Sequence, residues 1–385
     1  MVSIAFTGGG TGGHIYPGLA VASRLKKTSS CRIFWIGSGT GMDKNIVEEA
    51  GIEFFGIPSG KLRRYFSLKN ILDIFKVAAG FFSARRILKK EKPALLFSKG
   101  GFVSVPPCAA AFSLKIPVFS HESDYSPGLA TRINLRFSEK VFIPYKESLV
   151  FFGNLSKSSN DSSLNTAGKI IVSGNPIRPE FSEADPAIGR NFLGLKAEGE
   201  EAAERILLVL GGSLGSREIN ELIMESLPEL TRYYTVVHQY GEGNAETTAL
   251  NNKTFDNNLY KPYAYLRSEI PHLIAASELI ICRSGAGTIW ECKYLKKPMI
   301  LIPLRGSGTR GDQVENARLF EEAGAALTFI PGAGVSAADT SALLSDLVIS
   351  LAENPEKRKL MCEAEISEKD AAEFIAGEIA DKINI

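Results

Sequence analysis

The chain has 385 residues, more than one hydrophobic core usually organises, so two domains are expected. Its 44% apolar content suits full globular folding, and 44 Lys+Arg against 43 Asp+Glu leave a net charge of +1, which supplies no general field for wrapping nucleic acid. The five cysteines, Cys31, Cys108, Cys282, Cys292 and Cys362, are odd in number, lack paired zinc-ligand spacing and read as reduced thiols, so neither a metal nor another cofactor is indicated.

The amino terminus enters a strand directly at Val2 to Phe6, without the basic and then apolar stretch of a signal peptide. No uncharged run approaches the ~18 to 20 residues of a membrane span. Strand-like runs at Arg32 to Ile36, Ala94 to Phe97, Pro117 to Ser120 and Lys140 to Ile143 alternate with helical patterns, which predicts a parallel, doubly wound sheet. The Ser- and Asn-rich tract Gly153 to Gly168 has too little apolar content to pack and reads as a long loop or disordered insertion.

The second half begins near Ser173-Gly174-Asn175-Pro176-Ile177-Arg178 and repeats the scheme, with strands at Ile206 to Leu210, Thr235 to His238, Leu279 to Cys282, Met299 to Pro303 and Ala326 to Ile330. The closing segment, Pro355 to Ile383, reads as long, charged and helical. The fold class is therefore α/β, two Rossmann-like domains facing a cleft. Their expected extents are 1–172 and 173–365, with a last helix at about 366–385 packing back on the first domain.

Each half opens with a glycine-rich turn between a strand and a helix: Thr7-Gly8-Gly9-Gly10-Thr11-Gly12-Gly13-His14, and Gly211-Gly212-Ser213-Leu214-Gly215-Ser216. Backbone N–H groups and the positive end of the helix dipole make such turns suitable for anions. The first satisfies G-x-G-x-x-G, yet a dinucleotide site also wants an acidic residue at the end of the second strand, and there the chain runs into Gly37-Ser38-Gly39-Thr40-Gly41 with no carboxylate before Asp43.

The run Thr7 to Gly18 resembles the opening of the MurG family, the UDP-N-acetylglucosamine:undecaprenyl-pyrophosphoryl-muramoyl-peptide N-acetylglucosaminyltransferases. Further blocks agree in order: Gly100-Gly101-Phe102-Val103-Ser104, His121-Glu122, Ser126-Pro127-Gly128-Leu129, Gly174 to Arg178, Gly211 to Ser216, and Arg283-Ser284-Gly285-Ala286-Gly287-Thr288-Ile289-Trp290-Glu291. The resemblance implies a glycosyltransferase-B fold and an inverting transfer of GlcNAc from UDP-GlcNAc to the muramoyl C4 hydroxyl of lipid I, giving lipid II. It implies no metal, because main-chain amides and a helix terminus stabilise the departing diphosphate.

On the acceptor side, Gly12 and Gly13 would let a pyrophosphate approach bare backbone, and Thr11 would add a hydroxyl. His14, at a helix start, is the candidate base, with a structural histidine as the alternative; His121, His238 and His272 have weaker claims. Glu122, at a sheet edge, is the rival base or part of a buried polar network. Asp124 stands where the family usually shows Asn, and an ionised carboxylate cannot donate.

On the donor side, Ser213 with the amides of Gly212 and Leu214 would grip the diphosphate. Arg178 would sit near the same charge, unless it makes an interdomain salt bridge. Ala286, Gly287 and Thr288 open the helix that carries Glu291, whose carboxylate would take both ribose hydroxyls; the alternative is a first-turn glutamate that steadies the helix dipole. Gln313 matches a glutamine that reads GlcNAc hydroxyls.

Segment Lys61 to Lys92 carries ten basic residues against Asp73 and Glu91, interleaved with apolar ones. This suits an amphipathic helix on the anionic lipid of the inner membrane face, and so a peripheral protein on the cytoplasmic side; a solvated face with core contacts is the alternative. Two other functions fit the architecture: a different UDP-sugar enzyme, such as a glycolipid transferase or UDP-GlcNAc 2-epimerase, and a non-catalytic nucleotide-sugar binder.

Overall fold

A computed structural model describes the chain except residues 40–42, 61–67, 158–167, 198, 200–202, 213–214, 245–257, 307–310, 333–335 and 367–369, and except the side chains of 68–72, 74 and 154–157. The chain divides into two compact units, Met1–Arg178 with Ser367–Ile385, and Pro179–Ile366.

The first unit holds seven parallel strands in the order β3-β2-β1-β4-β5-β6-β7. They are β1 (Val2–Thr7), β2 (Cys31–Ser38), β3 (Glu53–Ile57), β4 (Leu95–Ser98), β5 (Val118–His121), β6 (Lys140–Ile143) and β7 (Ile170–Val172). Successive residues face opposite sides. Phe6, Trp35, Phe97, Phe119 and Phe142 therefore form one core with helices α1 (Tyr16–Thr28) and α2 (Asp43–Glu49), while Ala5, Phe34, Leu96 and Val118 form the other, under Ala84 and Leu88 of α3 (Leu68–Glu91). Both faces are covered, which explains why the central strands read as unbroken apolar runs.

The second unit repeats the plan with six strands, β10-β9-β8-β11-β12-β13: β8 (Ile206–Leu210), β9 (Thr235–Gln239), β10 (Tyr260–Tyr263), β11 (Leu279–Cys282), β12 (Met299–Leu301) and β13 (Ala326–Thr328). In each sheet the order reverses beside the first strand, between β1 and β4 and between β8 and β11. The loops at the carboxyl ends of those strand pairs form the crevice where open α/β sheets bind ligands.

Three strands, β3, β7 and β10, are absent from the sequence reading, and all three are sheet edges. Edge strands lack the two-sided burial that writes a continuous apolar signal; β10, Tyr-Lys-Pro-Tyr, even carries a proline and a lysine. The insertion expected from Gly153 starts later, since a helix runs over Leu149–Lys157. Residues 158–167 lie outside the described residues.

The helical segment expected over Pro355 to Ile383 is two helices, Pro355–Glu363 and Ala371–Ile383. Asp370 restarts the second, its carboxylate accepting from Ala372 N and Glu373 N. This last helix packs in the first unit. Ile375, Ala376 and Ile379 enter the core beside Phe6, Asp370 pairs with Arg24 at 2.8 Å, and Lys382 pairs with Glu139 at 2.6 Å.

Candidate active site

The turn after β1 is held by the protein's own groups. Asp43, 1% exposed, accepts from Gly10 N at 3.0 and 3.2 Å and from Ser38 N at 3.2 Å, and a Cβ on Gly9 would land on its carboxylate. Trp35 donates its indole N–H to Gly8 O at 3.0 Å. Thus the carboxylate that misses a ribose-binding position braces the turn instead.

Beyond this brace the chain makes a single 3₁₀ turn, Gly12–His14, with Thr11 and Gly13 exposed and Gly12 and His14 half-buried. Its opening amides have no partner within the turn. His14 does not start the helix: it ends the 3₁₀ turn, two residues before α1 begins at Tyr16.

The imidazole of His14 lies against the turn after β4. A Cβ at Gly101, where φ is +77°, would sit 3.0 Å from His14 Cδ2 and 2.5 Å from Gly9 O, and one at Gly100 would sit 3.9 Å from His14 Nδ1. The Gly100-Gly101 turn therefore closes on the imidazole that the first glycine turn carries, at the point where the strand order reverses.

Glu122 follows β5 and is 5% exposed. One carboxylate oxygen accepts from Ser123 N (2.9 Å) and Asp124 N (3.2 Å), the other from Gly128 N (2.9 Å) and Thr131 Oγ1 (2.6 Å). Burial pushes this carboxyl up, but Lys99, the bonds from Thr131 and Gly128 and the field of His14 outweigh it, so Glu122 titrates below its ordinary range. The four bonds tie residues 122–131 into one closed turn, with Asp124 half-buried on it.

The same edge is stitched to the segment after β7: His121 Nε2–H donates to Gly174 O at 3.1 Å, and Ser123 Oγ donates to Asn175 Oδ1 at 2.7 Å. Burial, then the charge of Lys99, push His121 well below the usual histidine range, which makes it a neutral strut. His238 is also a core group, bonded to Tyr260 Oη and Asn220 Oδ1 at 3.1 Å each, and His272 Nδ1 accepts from Asp185 N at 3.0 Å.

Arg178 departs from expectation. The chain passes into the second unit only at Pro179, so Arg178 lies in the first, its guanidinium 5.0 Å from the centre of the Tyr16 ring. That ring in turn lies beside Gly12.

In the second unit Ser213 and Leu214 fall outside the described residues, and the residues on either side are held by their own bonds. Gly215 N donates to Gly212 O at 3.0 Å, Gln239 Nε2 donates to Gly212 O at 3.1 Å, and Ser216 caps helix Arg217–Leu230 by accepting from Ile219 N. Arg283, which the sequence reading did not single out, ties three loops together: it donates to Ser216 Oγ (2.6 Å), pairs with Glu218 (2.7 Å) and reaches Ile302 O (3.1 Å).

Ala286, Gly287 and Thr288 are the first three residues of helix Ala286–Tyr294, so their amides are the unpaired donors of its first turn. Glu291 is the sixth residue of that helix. The dipole effect is confined to the first turn, so that alternative for Glu291 loses its basis. Gln313 sits at the start of helix Asp312–Glu322, its Oε1 accepting from Leu304 N at 2.9 Å and its carbonyl accepting from Ser284 Oγ at 2.7 Å.

On α3, Phe75 and Phe82 are each 69% exposed, with Lys76, Arg86, Lys89 and Lys90 also outside, whereas Phe81 packs toward the core. No helix among the described residues is long and apolar enough to cross a membrane.

The glycosyltransferase family 28 N-terminal domain matches residues 4–143, and the glycosyltransferase family 28 C-terminal domain matches residues 206–373. A UDP-N-acetylglucosamine--N-acetylmuramyl-(pentapeptide) pyrophosphoryl-undecaprenol N-acetylglucosamine transferase of Treponema denticola is 47% identical over 85% of this chain and 83% of its own length. A protein of the same description from Clostridium botulinum is 42% identical, over 85% and 86%.

Among solved structures, Acinetobacter baumannii MurG aligns with a TM-score of 0.71 at 22% identity, over 99% of this chain and 100% of its own. The UDP-GlcNAc 2-epimerase of Neisseria meningitidis bound to UDP-GlcNAc reaches 0.66 at 17%, over 100% of both chains. These two share the fold. With both family 28 domains in sequence and relatives above two-fifths identity over most of its length, the chain belongs to the MurG family of N-acetylglucosaminyltransferases.

Proposed function

We propose that His14 is the base when this enzyme moves GlcNAc from UDP-GlcNAc to the muramoyl C4 hydroxyl of lipid I, the step that makes lipid II for peptidoglycan. The observation that carries this is its setting: a half-buried imidazole borne by the first glycine turn and packed against Gly100 and Gly101 at the reversal point of the first sheet. In an inverting displacement the acceptor hydroxyl must lose its proton as it attacks, and a positioned imidazole is a suitable receiver. Glu122 serves as an anchor, because a carboxylate already accepting four bonds would have to release them to take a proton.

The opening amides of the turn at Gly12 and Gly13, the hydroxyl of Thr11 and the guanidinium of Arg178 suit the acceptor's pyrophosphate, to which Arg178 brings a fork-shaped cation. The second unit supplies the donor side. Ser213 and the first amides of helix Ala286–Tyr294 are assigned to the diphosphate, Glu291 to the ribose hydroxyls and Gln313 to the sugar. The exposed phenylalanines and cations of α3 support peripheral attachment to an anionic lipid surface, where a lipid-linked acceptor resides.

The test is turnover with UDP-GlcNAc and a lipid I analogue, with UDP-galactose plus diacylglycerol and UDP-GlcNAc alone as comparisons. Transfer only in the first pair is expected. His14→Ala should lower turnover by a factor of about 10² to 10⁴ with UDP affinity retained. Near-normal turnover in His14→Ala, beside an inactive but folded Glu122→Gln, would pass the base assignment to Glu122.

A further inference from the structure

Lys99 follows β4 directly, between the strand and the Gly100-Gly101 turn that holds His14, and its own N–H donates to Thr7 O of β1 at 2.8 Å. It is 1% exposed, with its Cβ packed beneath Gly8 and Gly18. Among the described residues its ammonium has no hydrogen-bond partner.

Burying an ammonium without such partners costs several kcal/mol, and a methionine or leucine would fill the same space without that penalty. What compensates is charge. Glu122 and Asp124, on the turn after β5, attract the ammonium; the remaining titratable neighbours are His121, held neutral, and His14, whose field reaches Glu122. The turn carries two carboxylates, and Lys99 is the buried cation that they attract.

We propose that Lys99 is a positioning residue of the acceptor site, the built-in countercharge that lets the closed turn present Asp124 to the acceptor as a carboxylate that accepts a hydrogen bond. This rests on the reading of the His14 edge as the acceptor side. Asp124 and Lys99 then form one functional pair beside Glu122, so removing Asp124 should offset part of the cost of removing Lys99. Burial pushes Lys99 down to about 8 against the pull of Glu122 and Asp124, so its proton is retained at neutral pH and lost in mild alkali.

Wild type, Lys99→Met, Asp124→Asn and the double variant are compared by the KM for a lipid I analogue, the KM for UDP-GlcNAc, the pH profile and thermal unfolding. Lys99→Met should raise the acceptor KM about tenfold and leave the donor KM within about twofold, and adding Asp124→Asn should recover most of the loss, the non-additivity of groups in direct interaction. The wild-type kcat/KM for acceptor should fall above about pH 8, and the double variant should lack that limb.

Independent, multiplying effects would overturn the pairing, as would a Lys99→Met enzyme with unchanged acceptor KM and pH profile. If Lys99→Met does not fold, restoration of folding by Asp124→Asn supports the pair and its failure overturns it. Coupling that appears in the donor KM alone would instead overturn the reading of this edge as the acceptor side.

Discussion

Asp43 and Glu122 use buried carboxylates as internal anions, each gathering backbone N–H groups that would otherwise need a ligand or water. The amides proposed for a substrate are those further along, at the 3₁₀ turn of Gly12 and Gly13. In the second unit the proposed donors are the first amides of the helix after Gly285, and Glu291 stands one turn further on. Glu291→Ala should weaken UDP binding by about 2 kcal/mol through loss of charge-assisted hydrogen bonds, while the fold survives. Calorimetry giving unchanged UDP affinity would remove Glu291 from the ribose role.

Among the elements, α3 serves two environments. Its inner face supplies Ala84 and Leu88, with Phe81 beside them, to the core; its outer face carries Phe75 and Phe82 among lysines and arginines. Phe75→Ser with Phe82→Ser should release the protein from vesicles containing anionic lipid without lowering its melting temperature. Added salt should weaken the wild-type interaction, since the attraction of the cations to headgroups is screened. Phe81→Ser should do the opposite, costing stability by roughly 1 to 3 kcal/mol for lost apolar packing. Wild-type protein that ignores such vesicles at low salt would end the lipid-surface reading.

At the scale of the whole molecule, the first unit is built from both ends of the chain. The last helix inserts Ile375 and Ile379, both fully buried, beside Phe6 and Trp35, and each such side chain contributes about 1.5 to 3 kcal/mol. Ending the chain at Ile366 should therefore destabilise the first unit by an amount comparable with a small domain's entire margin. Calorimetry should show an early or missing transition for the first unit, while a transition that UDP raises persists. A truncated protein that unfolds like the full chain would contradict this.

The candidates His14, Glu122, Glu291 and Gln313 were named from blocks that resemble the family's, whereas the duplicated α/β plan and the two glycine turns were legible in the residues themselves, because a strand buried on both faces must read as an apolar run and a tight turn after a strand favours glycine. Edge strands β3, β7 and β10 were not, since one open side removes that requirement. Nor were the contacts of Asp43, Lys99 and Arg283, which depend on what the sheet order brings beside them. Arg178 lies outside the unit to which its neighbours in sequence assigned it, and the four donors that converge on Glu122 come from residues 123–131 only as that turn closes. Local pattern determines which elements form, because each residue's burial is written in its own period. Which polar groups meet is decided only when parallel strands distant in sequence align their carboxyl ends.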